Sequence, residues 1–293
     1  MARHAARTPR IVAVIPALDE AGYIGEVVTA LGELRDEGRL DRLLVVDGGS
    51  TDATAEIAAA GGAEVVAAAD LAPSLGTVLG KGDSMWRAAS LLADGDVAVF
   101  LDGDVQMDFE RAITELSGPL LGSPHVQLVK GSFERIDRTG APLKGGRVTE
   151  SVARPLIAAL ASELSDVAEP LSGQIGIRSS TLRRLSILTG YGVDLGILLD
   201  VHDAFGRSAI AQADLGTLVN SVGPDEKLEE MAHDVVAAAL LRRGGHTFPQ
   251  DRAEQMFGWC RTRLVERPPW EPKPLNEAER STPSSVAPPQ RWS

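Results

Sequence analysis

The sequence contains a single cysteine, Cys260, among 293 residues, which excludes an intrachain disulfide framework and a cysteine-based zinc cluster. Aromatic residues make up only 4% of the chain, and no apolar run approaches the ~18 residues that a membrane-spanning helix requires. The basic, polar start of the chain lacks the apolar region of a secretory signal. Together these absences predict a cytoplasmic protein with no membrane partner.

Positive charge is also scarce. The 29 Lys and Arg residues face 41 Asp and Glu residues, so the formal net charge is −12 and indiscriminate binding to nucleic acid is not expected. The stretch from Lys130 to Arg154 is a local exception, because it holds six basic and three acidic residues. A local excess of cations in an acidic protein predicts a binding site for a small anionic molecule.

The first 120 residues alternate between short β-branched runs and amphipathic segments. This alternation predicts an α/β protein with a Rossmann-like, mostly parallel sheet, whose ligand crevice lies at the carboxyl ends of the strands. We expect strands at 11–15, 43–46, 64–67 and 97–101, and helices at 22–34, 50–60, 83–92 and 109–121.

The pattern changes after Gly122, which predicts a second region with a different role. The expected elements there are strands at 127–133 and 171–178, a strand pair within 210–219, and helices at 147–164, 194–205 and 227–242. Seven of the 17 prolines lie beyond residue 267, which is typical of a disordered tail. The predicted organisation is a flexible N-terminus at 1–10, a donor-binding region at 11–125, an acceptor-binding C-terminal region at 126–267, and a proline-rich tail at 268–293.

The triplet Asp102-Gly103-Asp104 follows a strongly apolar strand, so its two carboxylates are expected to point into the crevice. Mg²⁺ prefers carboxylate oxygens together with substrate phosphates, and the triplet is therefore a candidate seat for a metal diphosphate. A solvated Asp-Gly turn is the simpler alternative.

Two other strand ends and a glycine-flanked lysine favour the ligand interpretation. Residues 16–20 (Pro-Ala-Leu-Asp-Glu) and 47–52 (Asp-Gly-Gly-Ser-Thr-Asp) end the first two strands, where carboxylates and backbone groups can bind a nucleoside. Gly80-Lys81-Gly82-Asp83 begins a helix, where Lys81 can face a phosphate. Each motif alone is also typical of a turn or helix cap, but their order along a β-α-β frame is more specific.

These strings, with Asp102 and Asp104, resemble the GT-A nucleotide-sugar glycosyltransferases, and among them the glucosyl-3-phosphoglycerate synthases. Further matching strings lie at 145–150, 171–173, 190–193, 211–216 and 266–269, so the resemblance covers about residues 11 to 269. It implies the GT-A fold and a retaining glucosyltransferase. The implied reaction moves glucose from UDP-glucose to the 2-hydroxyl of 3-phosphoglycerate, with Mg²⁺ (or Mn²⁺) at the diphosphate, in a homodimer.

The resemblance also implies a role for individual residues. The nucleotide-sugar site would consist of Pro16, Ala17, Leu18, Glu20, Asp47, Gly48, Lys81, Asp102 and Gly103. The acceptor would contact Gly146, Arg147, Thr149 and Asp194. The metal would bind Asp104, Asp102 and Asn220, and the catalytic set would be Asp194, Lys81 and Asp104.

The acceptor assignment has a physical basis of its own. A guanidinium fork, a hydroxyl and glycine N–H groups together suit a phosphate, and Arg147, Thr149 and Gly146 supply these groups within four residues. The alternative is that Thr149 caps a helix and Arg147 is a surface charge.

Two positions depart from the family pattern. Asp194 stands where the family has a Glu, so the side chain is one methylene, about 1.5 Å, shorter. Asn220 stands where the family has a metal-binding His, and Val222 where it has an Asn. An amide oxygen can bind Mg²⁺ but is a weaker ligand for softer ions.

Because these departures cluster on the metal and acceptor side, two further hypotheses stay open: a paralogue that uses another nucleotide sugar or another small phosphorylated or carboxylated acceptor, and a catalytically idle nucleotide-sugar-binding protein. A dehydrogenase is disfavoured because no G-x-G-x-x-G follows the first strand. No carboxylate is evident as a glycosyl nucleophile. For the retaining transfer that the resemblance implies, we therefore expect the acceptor hydroxyl to attack on the face that the diphosphate leaves.

Overall fold

The computed structural model describes residues 9–137, 139–143, 146–220, 225–243 and 265–270, with the backbone alone at 220 and 225–227. The strands are β1 Ile11–Ala17, β2 Arg42–Asp47, β3 Glu64–Ala67, β4 Val97–Phe100, β5 Val105–Gln106, β6 Leu128–Ile136, β7 Ile175–Arg178, β8 Ile187–Leu188, β9 Ile210–Asn220 and β10 Glu266–Arg267. The α-helices are α1 Ile24–Asp36, α2 Thr54–Ala60, α3 Ala68–Leu71, α4 Lys81–Ala88, α5 Phe109–Gly122, α6 Arg154–Leu160, α7 Ser179–Leu182, α8 Val193–Phe205 and α9 Asp225–Arg243.

Eight strands form one sheet in the order β3-β2-β1-β4-β7-β6-β9-β5. The four strands from β3 to β4 are parallel, β7 runs antiparallel to both β4 and β6, and β6 and β9 are again parallel. The predicted α/β class is therefore confirmed. Strands that precede and strands that follow residue 125 in the sequence belong to this one sheet. The predicted boundary at residue 125 therefore separates two regions of the same sheet.

Both faces of the sheet are buried, which explains the continuous apolar runs of the first strands. Val12 and Val14 of β1 pack into the layer that holds α4, α6, α8 and α9, whereas Ala13 and Ile15 pack into the layer that holds α1, α2 and α5. All four side chains are fully buried. The result is a three-layer arrangement with the sheet in the middle, and in the described part of the chain no helix has the length and apolarity needed to cross a bilayer.

The second half of the chain differs from the sequence expectation in three places. The single helix predicted at 147–164 is a π-helical turn, Thr149–Ala153, followed by α6 and a 3₁₀ turn, Ser162–Leu164. Pro155 at the start of α6 has no N–H to donate, so a regular helix cannot run through this point. The strand predicted at 171–178 begins only at Ile175, because the preceding residues form a turn in which Ser172 donates to the carbonyl of Glu169.

The predicted strand pair at 210–219 is one continuous strand, β9. Asp214 and Gly216 lie in a β-bulge within this strand, where the register against β6 shifts between Ser132 and Glu134. Gly216 has φ +74°, a conformation that glycine adopts without strain, and its N–H donates to Asp214 Oδ1 at 2.9 Å.

Candidate functional site

The carboxyl ends of β2, β1 and β4 meet at one edge of the sheet. Ala17 of β1 lies opposite Asp47 of β2, and the N–H of Leu101, after β4, donates to the carbonyl of Val14. The loop after β1 therefore lies between the loops after β2 and β4. This edge carries the predicted nucleotide-sugar residues Pro16, Ala17, Leu18, Glu20, Asp47, Gly48, Asp102 and Gly103.

Reciprocal hydrogen bonds connect the first two of these loops. The N–H of Asp19 donates to Ser50 Oγ at 3.0 Å, and the N–H of Thr51 donates back to Asp19 Oδ1 at 2.7 Å. Asp19 has φ +54°, which Asp tolerates better than most residues. The Leu18 side chain next to it is 51% exposed, so an apolar surface is presented at the mouth of the crevice, as a nucleobase would need.

Gly103 holds the third loop against the first. A Cβ built at this position would collide with Glu20 Oε2, so the observed position of the Glu20 carboxylate depends on a glycine here. The predicted pair Glu20 and Gly103 therefore lies in direct contact.

Asp102 is fixed by a residue that the sequence analysis did not single out. The Gln174 amide donates to Asp102 Oδ2 at 2.6 Å and accepts the N–H of Asp102 at 3.1 Å. Gln174 is 1% exposed, so its own position is fixed by packing. The second carboxylate oxygen, Oδ1, lies 2.8 Å from Lys81 Nζ.

Lys81 connects the two halves of the site. It is the first residue of α4, and its Nζ lies 2.8 Å from Asp102 Oδ1 and 3.4 Å from Asp194 Oδ2. Burial by itself lowers the pKa of Lys81, but the two carboxylates outweigh it and raise the pKa above its ordinary value. Conversely, burial raises the pKa of Asp102 and the ammonium of Lys81 brings it below its ordinary value. The cation and the carboxylate are thus both charged at neutral pH.

Asp194 is the most deeply buried carboxylate of the site. It lies in the first turn of α8 with 7% exposure, and its Oδ1 is enclosed without a hydrogen-bond donor. Burial raises the pKa of Asp194 despite the opposing effects of Lys81 and Lys130. Lys130, on β6, is 1% exposed and donates to the carbonyl of Ser172 at 2.7 Å, and burial lowers its pKa to about 8.

Three of the predicted acceptor residues, Gly146, Arg147 and Thr149, lie at or just before the start of the π-helical turn. The Oγ1 of Thr149, a residue with 2% exposure, is 2.8 Å from where a Cβ of Gly146 would be. Arg147 is exposed. Residues 144 and 145, which share this motif, lie outside the described residues.

The strand end can hold a divalent ion only with the small number of protein ligands that Mg²⁺ requires. The described residues contain no cluster of three His, Cys, Asp or Glu side chains that could hold a metal. Mg²⁺ needs no such cage, since one or two carboxylates complete its shell with substrate phosphates and water. Asp102 and Asp104 supply these carboxylates, and Asn220 lies opposite Val105, the residue after Asp104, in the pairing of β9 with β5. The Asn220 side chain and Val222 lie outside the described residues.

A short C-terminal segment, residues 265–270, packs against α4. Arg267 donates to both oxygens of Asp83, from Nε at 2.8 Å and from Nη2 at 3.0 Å, and the ring of Trp270 stacks on Trp86 with centroids 4.3 Å apart. Asp83 is fully buried and also accepts the N–H of Leu79 at 2.9 Å, while the carbonyl of Leu79 accepts the N–H of Gly190. The segment therefore supports the backbone on which both Lys81 and Asp194 depend.

Sequence reasoning missed Gln174 altogether, and it assigned no individual role to Gly173, Lys130 or Arg267, which it included only in the basic stretch or in the matching strings. A Cβ at Gly173 would collide with Lys81 Nζ and come within 2.7 Å of Asp102 Oδ2. One available signal was Lys130, a charged residue inside the apolar strand pattern of β6, because a lysine is buried in a strand only where the site offers it partners. No local pattern marks Arg267 or Gln174, whose partners are 184 and 72 residues away.

Comparison with known sequences and structures agrees with this geometry. Residues 12–147 match the family described as Glycosyl transferase family 2. The chain is 39% identical over 247 residues to the glucosyl-3-phosphoglycerate synthase of Mycobacterium tuberculosis (strain ATCC 25618 / H37Rv). The aligned region covers 82% of this chain and 76% of that protein. It is 36% identical over 238 residues to the enzyme of the same name from Petrotoga mobilis, covering 80% of this chain and 73% of that protein.

Solved structures of the Mycobacterium tuberculosis enzyme superimpose on this fold. The complex of that enzyme with Mn²⁺, UDP-glucose and glycerol 3-phosphate matches with a TM-score of 0.76 at 36% identity, over 89% of this chain and 90% of that one. Its complex with Mg²⁺ and UDP gives the same TM-score, identity and coverage. The predicted GT-A fold is thereby confirmed, and the chain belongs to the glucosyl-3-phosphoglycerate synthase family of glycosyltransferases.

Proposed function

We propose that this protein transfers glucose from UDP-glucose to the 2-hydroxyl of 3-phosphoglycerate, with Mg²⁺ or Mn²⁺ bound beside the diphosphate. The observation that carries the proposal is the position of Lys81, whose ammonium contacts both Asp102 at the nucleotide-sugar edge and Asp194 at the acceptor side. The relatives are glucosyl-3-phosphoglycerate synthases, and one of them was crystallised with UDP-glucose and phosphoglyceric acid. The donor-binding region is proposed at 11–125 and the acceptor-binding region at 126–267.

Each predicted residue has a proposed role in this reaction. Pro16, Ala17, Leu18, Glu20, Asp47 and Gly48 bind the uridine, and Asp102 and Gly103 the ribose. Lys81 stabilises the negative charge that develops on the departing diphosphate, since a preorganised cation in a water-poor site is among the largest catalytic contributions. Asp104, with Asp102 and Asn220, holds the metal, which supplies further charge neutralisation at the diphosphate when bound. Gly146, Arg147 and Thr149 hold the acceptor phosphate, and Asp194 orients the acceptor hydroxyl.

The family resemblance implies retention of configuration at the anomeric carbon, and we expect it to proceed without a covalent glucosyl-enzyme. Asp194 Oδ2 is paired with the ammonium of Lys81, which lowers its nucleophilicity and disfavours a covalent bond to glucose. No enzyme nucleophile is needed if the acceptor hydroxyl attacks on the face that the diphosphate leaves. The diphosphate then takes the proton of that hydroxyl. Trapping a glucosyl ester on Asp194 by mass spectrometry would contradict this mechanism, and an α-linked product in the proton NMR spectrum would support it.

The reaction itself is tested by UDP release. Purified protein is mixed with UDP-glucose, Mg²⁺ and 3-phosphoglycerate, and UDP formation is followed by a coupled assay, with Mn²⁺ in a parallel series. The expected result is UDP release that requires the acceptor and is abolished by a chelator. GDP-glucose and GDP-mannose serve as donor controls.

A second candidate is a paralogue with another small phosphorylated or carboxylated acceptor. It is favoured by Asp194, whose shorter side chain lies at the acceptor position, and by Asn220 at the predicted metal position. UDP release with a different acceptor and none with 3-phosphoglycerate would select it. Binding of UDP-glucose without release to any acceptor would select an idle nucleotide-sugar-binding protein. Asp194→Glu separates the first two cases, because it should lower the KM for 3-phosphoglycerate if lost reach has weakened that acceptor.

A homodimer in the cytoplasm is proposed as the working form. The low cysteine content supports a reducing compartment, and family membership supports the dimer. Light scattering coupled to size-exclusion chromatography distinguishes a dimer of about twice 30.9 kDa from a monomer.

A further inference from the structure

Arg135 is a largely buried guanidinium that has few hydrogen-bond acceptors among the described residues. It lies near the end of β6, and its side chain is 17% exposed. Its only side-chain hydrogen bond in the described part of the protein runs from Nη2 to Glu169 Oε2, at a long 3.3 Å. The Nε atom is enclosed and has no acceptor. An arginine has five N–H donors, and burying donors without acceptors is costly, so this arrangement suggests a missing anionic partner.

The direction of the side chain shows where that partner would bind. The position of a missing Cβ on Gly146 lies 3.7 Å from Arg135 Nη2 and 2.8 Å from Thr149 Oγ1. A guanidinium and a hydroxyl thus both lie beside the backbone of Gly146, where a side chain would collide with Thr149 Oγ1. A tetrahedral oxyanion such as phosphate suits this combination, because guanidinium and hydroxyl groups both donate to its oxygens.

The setting of Arg135 favours a fixed binding group over a mobile surface charge. Its guanidinium carbon lies 4.7 Å from the centre of the Phe133 ring. Phe133 is two residues earlier on the same strand face, and its ring packs against the planar guanidinium. Glu169, its ion-pair partner, is 8% exposed and is itself held in the turn before β7. Arg147, by contrast, is exposed.

We propose that Arg135 is a phosphate-binding residue of the acceptor site, converging with Thr149 and Gly146 on the phosphate group of the acceptor. The inference rests on the proposed function and adds to it the buried cation of the acceptor site. The position also suits transfer, since the charge of Arg135 contributes to lowering the pKa of Asp102 and therefore acts at the nucleotide-sugar edge as well.

The test compares Arg135→Met with Arg154→Met. Arg154 belongs to the same basic stretch but pairs with Glu150 one helical turn away and lies outside the convergence point, so it is a matched control. Three acceptors are used: 3-phosphoglycerate, glycerol 3-phosphate, which lacks the carboxylate, and glycerate, which lacks the phosphate. Arg135→Met should raise the KM of both phosphorylated acceptors by about 10- to 100-fold, the effect of losing a charge-assisted hydrogen bond. It should leave the KM of UDP-glucose and that of glycerate within about twofold, and Arg154→Met should change none of them.

Three results would overturn the proposal. Equal effects of Arg135→Met and Arg154→Met would show a general charge effect. A loss confined to 3-phosphoglycerate would assign Arg135 to the carboxylate instead of the phosphate. An equal rise in the donor KM would show that Arg135 only maintains the fold. Arg135→Lys keeps the charge without the fork, and it should therefore recover part of the acceptor affinity if phosphate is the ligand.

A binding measurement separates this inference from the proposed function. Titration calorimetry with inorganic phosphate requires no turnover and is performed on the unsubstituted protein and on both variants. Phosphate binding that weakens only in Arg135→Met would support the assignment even if no glucose transfer were found. Unchanged phosphate binding in Arg135→Met would overturn it even in an active enzyme.

Discussion

The nucleotide-sugar edge and the acceptor side of this site are built in different ways. At the edge, adjacent parallel strands and short loops position most of the ligand groups through backbone register and through hydrogen bonds between neighbouring loops, as at Asp19 and Thr51. Asp102 is the exception, because Gln174 and Lys81 hold it. On the acceptor side, side chains distant in sequence hold one another through ion pairs, such as Lys81 with Asp194 and Arg135 with Glu169. Backbone register tolerates substitution of neighbouring side chains, whereas an ion-pair network changes with each member. The difference suggests that acceptor choice can diverge while donor binding persists.

Lys81 lies on the boundary between the two regions, and its removal should have the largest effect. We expect Lys81→Met to lower kcat by about 10³-fold, because it removes the cation that we propose stabilises the departing diphosphate. Binding of UDP, measured by calorimetry, should weaken much less than kcat falls. A change in the acceptor KM alone would place Lys81 in the acceptor site, and it would contradict the position of Lys81 on the boundary between the two regions.

Asp83 forms ion pairs with Arg87 and Arg267, and these contacts support the backbone of both regions. Asp83→Asn should lower the free energy of unfolding by about 3–5 kcal/mol, since it leaves Arg87 and Arg267 buried without their carboxylate. Arg267→Met should cost less, because Arg87 still pairs with Asp83. Urea denaturation of both single variants and the double variant gives the coupling between positions 83 and 267. A coupling near zero would mean that the C-terminal segment contributes packing without electrostatic support.

Gly173 tests how closely the acceptor side is packed. A methyl group here would displace Lys81 and Asp102, so Gly173→Ala should lower kcat by about 10²-fold with the protein still folded. Gly118→Ala, on α5 where nothing lies within 4 Å of the added carbon, is the control. Full activity of Gly173→Ala would show that the contacts of Lys81 rearrange readily.

The smallest effect is expected at Lys130, which should make the free energy of unfolding depend on pH. Its pKa of about 8 in the folded protein lies below the ordinary 10.5, so between these values the unfolded chain binds the extra proton. The free energy of unfolding should therefore rise with pH from about 8 to 10.5. Lys130→Met should abolish that rise in urea denaturation series at pH 7.5, 8.5 and 9.5. A rise of equal size in the variant would assign it to another group.

The sequence predicted the nucleotide-sugar edge more fully than the acceptor side, for a physical reason. Strand ends such as Asp47-Gly48 and Asp102-Gly103 are local patterns whose meeting follows from parallel pairing, so strand recognition is enough to place them. Gln174 and Arg267 contact their partners across 72 and 184 residues, and nothing in their neighbours indicates those contacts. The bulge at Gly216 and the break before Pro155 were misjudged because a glycine or proline marks an irregularity without specifying its kind.

The pairing of Asp83 with Arg267 has a consequence for how the protein is made. During synthesis, α4 leaves the ribosome about 180 residues before its buried counter-charge, so Asp83 and Arg87 await Arg267 while most of the sheet assembles. Contacts of such sequence separation form late and slow folding. Closure of the segment 265–270 is therefore expected as the last folding step, and a chain released before position 267 would carry every donor motif on an incompletely supported α4.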